Sequence, residues 1–210
     1  MRDFRVTFSK TGPLVFISHL DLAHTFVRAL NRARIPLRYS EGFSPHPKLV
    51  FALPLSVGMA GENEICDIGL REDMDKGEFE ARIKAVMPPY IEIKSIEEPT
   101  LKLKFVKSAD YIVTSPALVA DCDKIREILS QDSLITVRKT KSGEKSVDIK
   151  AQIISYDAYI KDGDTCLYLT LDATPDGYLN PDYVVKVLRE NGVDLGENTS
   201  CVRKKIVISQ

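Results

Sequence analysis

Hydrophobic spacing switches between two periods along this chain, and the order of the switches recurs, which restricts the fold more than any other feature of the sequence. Residues 4–8 alternate as a strand. Ser18, with Asp21 three positions on, is a helix-start signature, and Leu22, Phe26, Ala29, Leu30 and Ala33 recur at helical spacing, which predicts a helix to about Arg34, ended by Pro36. Residues 37–39 are short and extended, 40–47 form a loop, 48–55 form an apolar strand, 56–63 turn and 64–70 form another strand. Asp75 and Glu78 repeat the capping pattern ahead of Phe79, Ile83, Val86 and Met87, Pro88 stops that helix, and 90–96 is a strand. The order is β-α-β-β-α-β, a ferredoxin-like unit.

The same order returns after a connecting segment. A strand over 111–114, a helix starting at Ser115-Pro116 with Leu118, Cys122, Ile125 and Leu129 inward, and strands over 134–139, 147–153, 155–160 and 166–171 follow. Ser142-Gly143 and Asp162-Gly163 read as hairpin turns. Asn180-Pro181 caps a helix with Val184, Val187 and Leu188 inward, Gly192 ends it, and 201–208 is the last strand. The expected fold class is therefore α+β, with two tandem ferredoxin-like units over 1–98 and 109–210, the second with an extra β-hairpin, joined by 99–108. The duplication lies in the order of elements, not in the residues.

Composition narrows the function. The 210 residues hold 29 Lys/Arg against 30 Asp/Glu, so the global charge gives no reason to expect a polyanionic partner. The charge is uneven, however: residues 1–60 carry eight Lys/Arg and three Asp/Glu, whereas 61–105 carry seven and eleven. No apolar run approaches the roughly 18 residues of a membrane span, no signal-peptide core opens the chain, and Cys66, Cys122, Cys166 and Cys201 stand far apart. The expectation is a cytoplasmic protein with free thiols, no membrane partner, no metal site and no cofactor of its own. A metal held by His19, Asp21 and His46 lacks any close ligand pair, and Ser18, His19 and Asp21, on one helical turn, cannot align as a hydrolytic triad.

The least ordinary stretch is Gly42-Phe43-Ser44-Pro45-His46-Pro47-Lys48. Gly42 permits an unusual backbone angle, and Pro45 and Pro47 stiffen the chain around one imidazole. His46 is the candidate acid–base residue, with Lys48 or Arg32 to stabilise charge on a phosphate. His24, Arg28, Arg32, Arg34 and Arg38, with Phe43 and Lys48, form a candidate surface for RNA or a protein partner, and Arg138, Lys139 and Lys141 on a hairpin tip form a second basic patch. Ser18, His19, Asp21, Gly42, Pro45 and Pro47 are supporting residues: His19 falls on the core side of its helix and His24 on the outer stripe. For each basic stretch the plain alternative is a solvated face or a charged edge that deters aggregation.

Several motifs in sequence order, Phe8-Ser9-Lys10-Thr11-Gly12, Ile17-Ser18-His19-Leu20-Asp21-Leu22, Tyr39-Ser40-Glu41-Gly42-Phe43-Ser44-Pro45-His46-Pro47-Lys48 and Pro54-Leu55-Ser56-Val57-Gly58 among them, resemble the bacterial radical-SAM-associated (radical-SAM-linked) family of unknown function. Asn31 and Ser44 stand where that family commonly has arginine and asparagine. The resemblance implies a domain that occurs alone or fused behind a radical SAM enzyme. Nothing resembles the CxxxCxxC loop of such enzymes, so the iron–sulfur cluster and S-adenosylmethionine are expected only in a partner. Three functions follow as expectations: a non-catalytic RNA-binding accessory module for a radical SAM enzyme, a protein-interaction module docking on that enzyme, and a metal-independent endoribonuclease using His46. Tandem ferredoxin-like units also build the CRISPR repeat-processing endoribonucleases, an analogy of fold alone.

Overall fold

The computed structural model describes residues 2–116, 120–140 and 143–210. It divides into two compact units, 1–106 with 208–210, and 107–207.

In the first unit, β1 (Asp3–Lys10) buries Phe4, Val6 and Phe8 on alternate positions. It lies between β3 (Met59–Gly69) and β4 (Ile91–Glu97), antiparallel to both. The short β2 (Leu49–Phe51) pairs with β3 along the edge away from β1, so the strand order is β4-β1-β3-β2. Two helices, α1 (His19–Arg32) and α2 (Lys76–Lys84), cover one face, because Phe8 meets Phe26 at 4.8 Å and Phe4, on the same side of β1, meets Phe79 at 4.7 Å. Burying each phenyl ring contributes about 1.5–3 kcal/mol.

The caps are those the sequence predicts. Ser18 Oγ accepts the Asp21 N–H at 3.1 Å, and Asp75 Oδ1 accepts the Glu78 N–H at 3.0 Å. The end of α1 differs from expectation: the helix stops at Arg32, before Pro36 can act. Arg34 takes φ +54° and the N–H of Ile35 returns to the Leu30 carbonyl at 3.0 Å, a Schellman closure with arginine where glycine is usual. The strand expected over 48–55 keeps only Leu49–Phe51, since after Ala52 donates to the Ile65 carbonyl the chain leaves the sheet ahead of Pro54. Strand β3 begins at Met59, inside the expected turn, because Gly58 at φ +87° reverses the chain early.

In the second unit, β5 (Val106–Ser115), β8 (Ile153–Lys161), β9 (Asp164–Asp172) and β10 (Ser200–Ile208) form the order β10-β5-β9-β8, with α3 (Cys122–Ser130) after β5 and α4 (Pro181–Glu190) before β10. Its strands, numbered within the unit, follow the same fourth-first-third-second order as those of the first. Strands β6 (Ile135–Thr140) and β7 (Gly143–Asp148) form a separate hairpin between α3 and β8. The expected strand over 147–153 is broken at Asp148, whose Oδ1 accepts the N–H groups of Leu134 and Lys150, both at 2.9 Å, and starts a 3-10 turn over Lys150–Gln152. The helix expected from Ser115-Pro116 starts instead at Cys122 under an Asp121 cap, and Leu118 lies outside the described residues. Residues 99–108, read as a connector, hold a 3-10 turn at Leu103–Phe105 and the first residues of β5. Among the described residues no helix is long and apolar enough to cross a membrane.

Candidate functional site

Registration of β1 against β3 places Asp3 opposite Gly69. Gly69 carries no side chain, and a Cβ there would stand 2.7 Å from Lys48 Cδ and 2.9 Å from an Arg38 terminal nitrogen. Both cationic side chains therefore cross the strand at its bare position and meet Asp3: Arg38 on Oδ1, and Lys48 Nζ on Oδ2 at 2.8 Å. The backbone supports this, because Arg38 N–H donates to the Gly69 carbonyl, Lys48 N–H to the Arg38 carbonyl and Gly69 N–H to the Lys48 carbonyl, at 2.9, 2.7 and 2.9 Å. Arg38 and Lys48 thus stand side by side at the base of the loop between them.

That loop closes on itself. Tyr39 bridges Pro47, Ser40 N–H donates to the His46 carbonyl at 2.8 Å, and His46 N–H donates to Ser40 Oγ at 3.0 Å. Gly42 turns the tip at φ +123°. Pro47 is half-buried at the base, whereas Pro45 and His46 are exposed and Phe43 stands wholly in solvent. The His46 imidazole has no hydrogen-bond or ion-pair partner among the described residues. Lys48 is engaged by Asp3, and Arg32 donates to the Val86 carbonyl at 2.5 Å, so neither cation suggested as its helper is held against it.

The arginine stripe separates into distinct environments. His24 and Arg28 occupy successive turns of the exposed face of α1. Arg32 reaches toward the end of α2, Arg34 forms the Schellman position with its carbonyl accepting from Arg82 at 3.3 Å, and Arg38 belongs to the Asp3 clamp. At the opposite end of α1 the Ser18 hydroxyl, donating at 2.7 Å, holds the Asp21 carboxyl below its ordinary pKa. His19 is half-buried, its imidazole edge-on to Phe51 at 5.1 Å.

Beside the clamp opens a cavity of about 640 Å³, walled by Val50, Pro99, Leu101 and Leu103 and rimmed by charge. Arg5 grips Asp67 with two hydrogen bonds of 2.7 and 2.8 Å and donates to the Leu101 carbonyl, which holds the 98–103 segment over β1. Arg2 pairs with Glu98, and Lys102, on the rim, makes no ion pair among the described residues. Sequence reasoning missed Asp3, Asp67, Gly69 and Lys102. Only the alternation of β1 carried a signal, since it puts Asp3 and Arg5 on the face opposite Phe4, and nothing local indicated their partners.

In the second unit Arg138 is half-buried. It donates to Gln152 Oε1 at 2.8 Å and lies 4.9 Å from the Tyr183 ring centre, while its Nε is buried without a partner. These contacts fasten the hairpin to residue 152 and to α4. Lys139 pairs in register with Glu144, and Lys141 lies outside the described residues. The four cysteines are free, and among the described residues no three of His, Cys, Asp or Glu converge as metal ligands. Burial pushes the Cys201 thiol up to about 12 and the Cys66 thiol well above its ordinary value, so neither is a ready nucleophile.

The chain belongs to a family described as an uncharacterized protein conserved in bacteria (DUF2344), whose pattern matches residues 3–181. No curated protein matches it. Among solved structures it is similar to the crystal structure of a Cbf5-Nop10-Gar1 complex, with a TM-score of 0.51 and 8% identity over 97% of this chain and 48% of that one. The chain therefore spans about half the length of that relative, and the likeness is one of mixed α+β fold alone. A crystal structure of an unknown protein from Galdieria sulphuraria aligns over 99% of both chains at 13% identity with a TM-score of 0.33.

Proposed function

We propose that this chain is a non-catalytic, cytoplasmic RNA-binding module of two tandem ferredoxin-like units, the second with an added hairpin, that serves a separate radical SAM enzyme holding the cluster and S-adenosylmethionine. The observation that carries the RNA reading is the loop over residues 39–48: a solvent-standing Phe43, an exposed Tyr39 and a free His46 imidazole on a closed backbone, with Arg38 and Lys48 side by side at its base. Aromatic faces stack on unpaired bases at about 1–3 kcal/mol each, and adjacent cations meet the phosphates. His24 and Arg28 extend the same chemistry along α1. The radical SAM association is supported by the motif resemblance.

Fluorescence anisotropy with single-stranded and hairpin RNA tests this reading. Affinity falls steeply with salt, drops about tenfold in Phe43→Ala and falls when Arg28 and Lys48 are both changed to alanine. Binding at low salt no stronger than that of a neutral control protein would sink it.

A second reading has the same surface dock on the radical SAM enzyme without RNA. It is favoured by the same Phe43, a large apolar ring standing wholly in solvent at the tip of a closed loop. Anaerobic co-purification that survives nuclease, is lost in Phe43→Ala and is kept in Arg28→Ala selects it.

A further inference from the structure

The cavity beside the Asp3 clamp adjoins the RNA surface but is chemically different from it. Its walls, Val50, Pro99, Leu101 and Leu103, are apolar, and its volume of about 640 Å³ falls in the roughly 300–1,000 Å³ range of sites that enclose a small organic ligand. Its rim is charged on both signs, and the way those charges pair defines what fits.

Each carboxylate at the cavity is already neutralised. Asp67 is held bidentately by Arg5, Glu98 by Arg2, and Asp3 by Arg38 together with Lys48. An entering anion therefore meets no bare negative charge. Two ammonium groups stand on the rim: Lys48, and Lys102, which has no ion pair among the described residues. Lys48 uses one donor on Asp3, and an ammonium carries three, so a ligand can be added there without breaking the clamp. Two ammonium groups on one rim match a phosphomonoester, about −1.5 to −2 at pH 7, better than the single charge of a phosphodiester within a strand.

We propose that this cavity receives a nucleotide bearing a terminal phosphomonoester, its base against Val50 and Leu101 and its phosphate between Lys48 and Lys102. This rests on the RNA-binding reading and deepens it: Lys48 closes the base of the Phe43 loop through the Arg38 carbonyl and also lines the cavity, so a strand stacked on the loop has the cavity within reach of its end. The module would then recognise RNA ends, such as those left by cleavage, over continuous strands.

The test uses the full chain and one short RNA sequence made with a 5′-phosphate, with a 3′-phosphate and with both ends hydroxyl, alongside uridine monophosphate, uridine and inorganic phosphate. One phosphorylated end is expected to bind about tenfold tighter than the hydroxyl form. Lys102→Glu abolishes that preference while Phe43→Ala weakens all three RNAs alike; Lys102 is exposed, and circular dichroism verifies that its variant is folded. Equal binding of all three RNAs, with Lys102→Glu without effect, overturns the end-recognition proposal and leaves the RNA surface standing. Binding of uridine monophosphate over uridine with no RNA binding overturns it in favour of a free nucleotide. Absence of binding to every probe removes both readings.

Discussion

After its first helix, each unit must carry the chain to its second strand, and the two units do so in opposite ways. In the first unit residues 33–48 form an irregular loop, fastened at its base by Tyr39, Ser40, His46 and Pro47, with its tip in solvent. In the second, residues 131–152 form the β6–β7 hairpin, tied down by Arg138 on Gln152 and Tyr183, by Lys186 on the Val137 carbonyl at 3.1 Å, and by Asp148 at its base. The strand order is the same, so the sheet does not decide which connection is tethered. What differs is where the ties fall: Arg82 and Asp3 reach only the ends of the first connection, at 34, 38 and 48, and leave 39–47 to its own backbone, whereas Lys186 and Tyr183 reach into the hairpin strand itself. A connection held by its own backbone keeps its side chains available to a ligand, whereas one held by other elements spends them on the fold.

The widest contrast to test is between two phenylalanines of the first unit. Phe26→Ala should cost about 3–5 kcal/mol in urea unfolding, while Phe43→Ala should change stability by less than about 0.5 kcal/mol; a large loss at Phe43 would show that the loop packs against the fold. Next comes the hairpin tether. Arg138→Ala, which removes a ring contact and a hydrogen bond, should cost about 1–3 kcal/mol and speed amide exchange in β6 and β7 without altering residues 39–48. Unchanged exchange would mean that the hairpin needs no tether.

Gly69→Ala should cost stability modestly, since the Arg38 end and the Lys48 stem can swing aside while Lys48 Cβ, 3.1 Å away, must give by a few tenths of an ångström. It should nevertheless displace Arg38 and Lys48 from Asp3 and weaken RNA binding several-fold, as Lys48→Ala does; wild-type affinity would separate the clamp from the loop. The smallest effect is the pH response of Asp148. Hydrogen bonds from the Lys150 and Leu134 backbone, with help from Ser133, hold its carboxyl below the ordinary value. Its contribution is present above the usual carboxylate range and is lost as pH falls through the folded value. The melting-temperature gap between the native protein and Asp148→Ala should therefore be widest near neutrality and narrow below about pH 4, with a pH-independent gap counting against the bond.

Much of the fold was legible because its signals are local. Ser18 with Asp21, Asp75 with Glu78, and Asn180 before Pro181 each act within one helical turn, and Asp162-Gly163 adopts the two positive φ angles, 54° and 87°, of a tight hairpin. The alternation of Phe4, Val6 and Phe8 was equally plain. Less legible were ends that depend on a neighbour: β3 begins five residues before its expected start at 64, and β2 stops once pairing with β3 ends.

For the candidate site the division is sharper. The sequence alone determined that residues 42–48 would be a stiff, basic, aromatic-bearing loop, because glycine, proline and charge act where they stand. It did not determine that Arg38 and Lys48 meet on Asp3, that Gly69 leaves the gap they cross, that Arg32 turns to Val86, or that Arg138 is committed to the hairpin. Those partners lie 35, 45, 54 and 14 positions apart in the chain. Only strand register and helix packing bring them together, and register is set by the burial of whole faces, not by the residues that come to face each other.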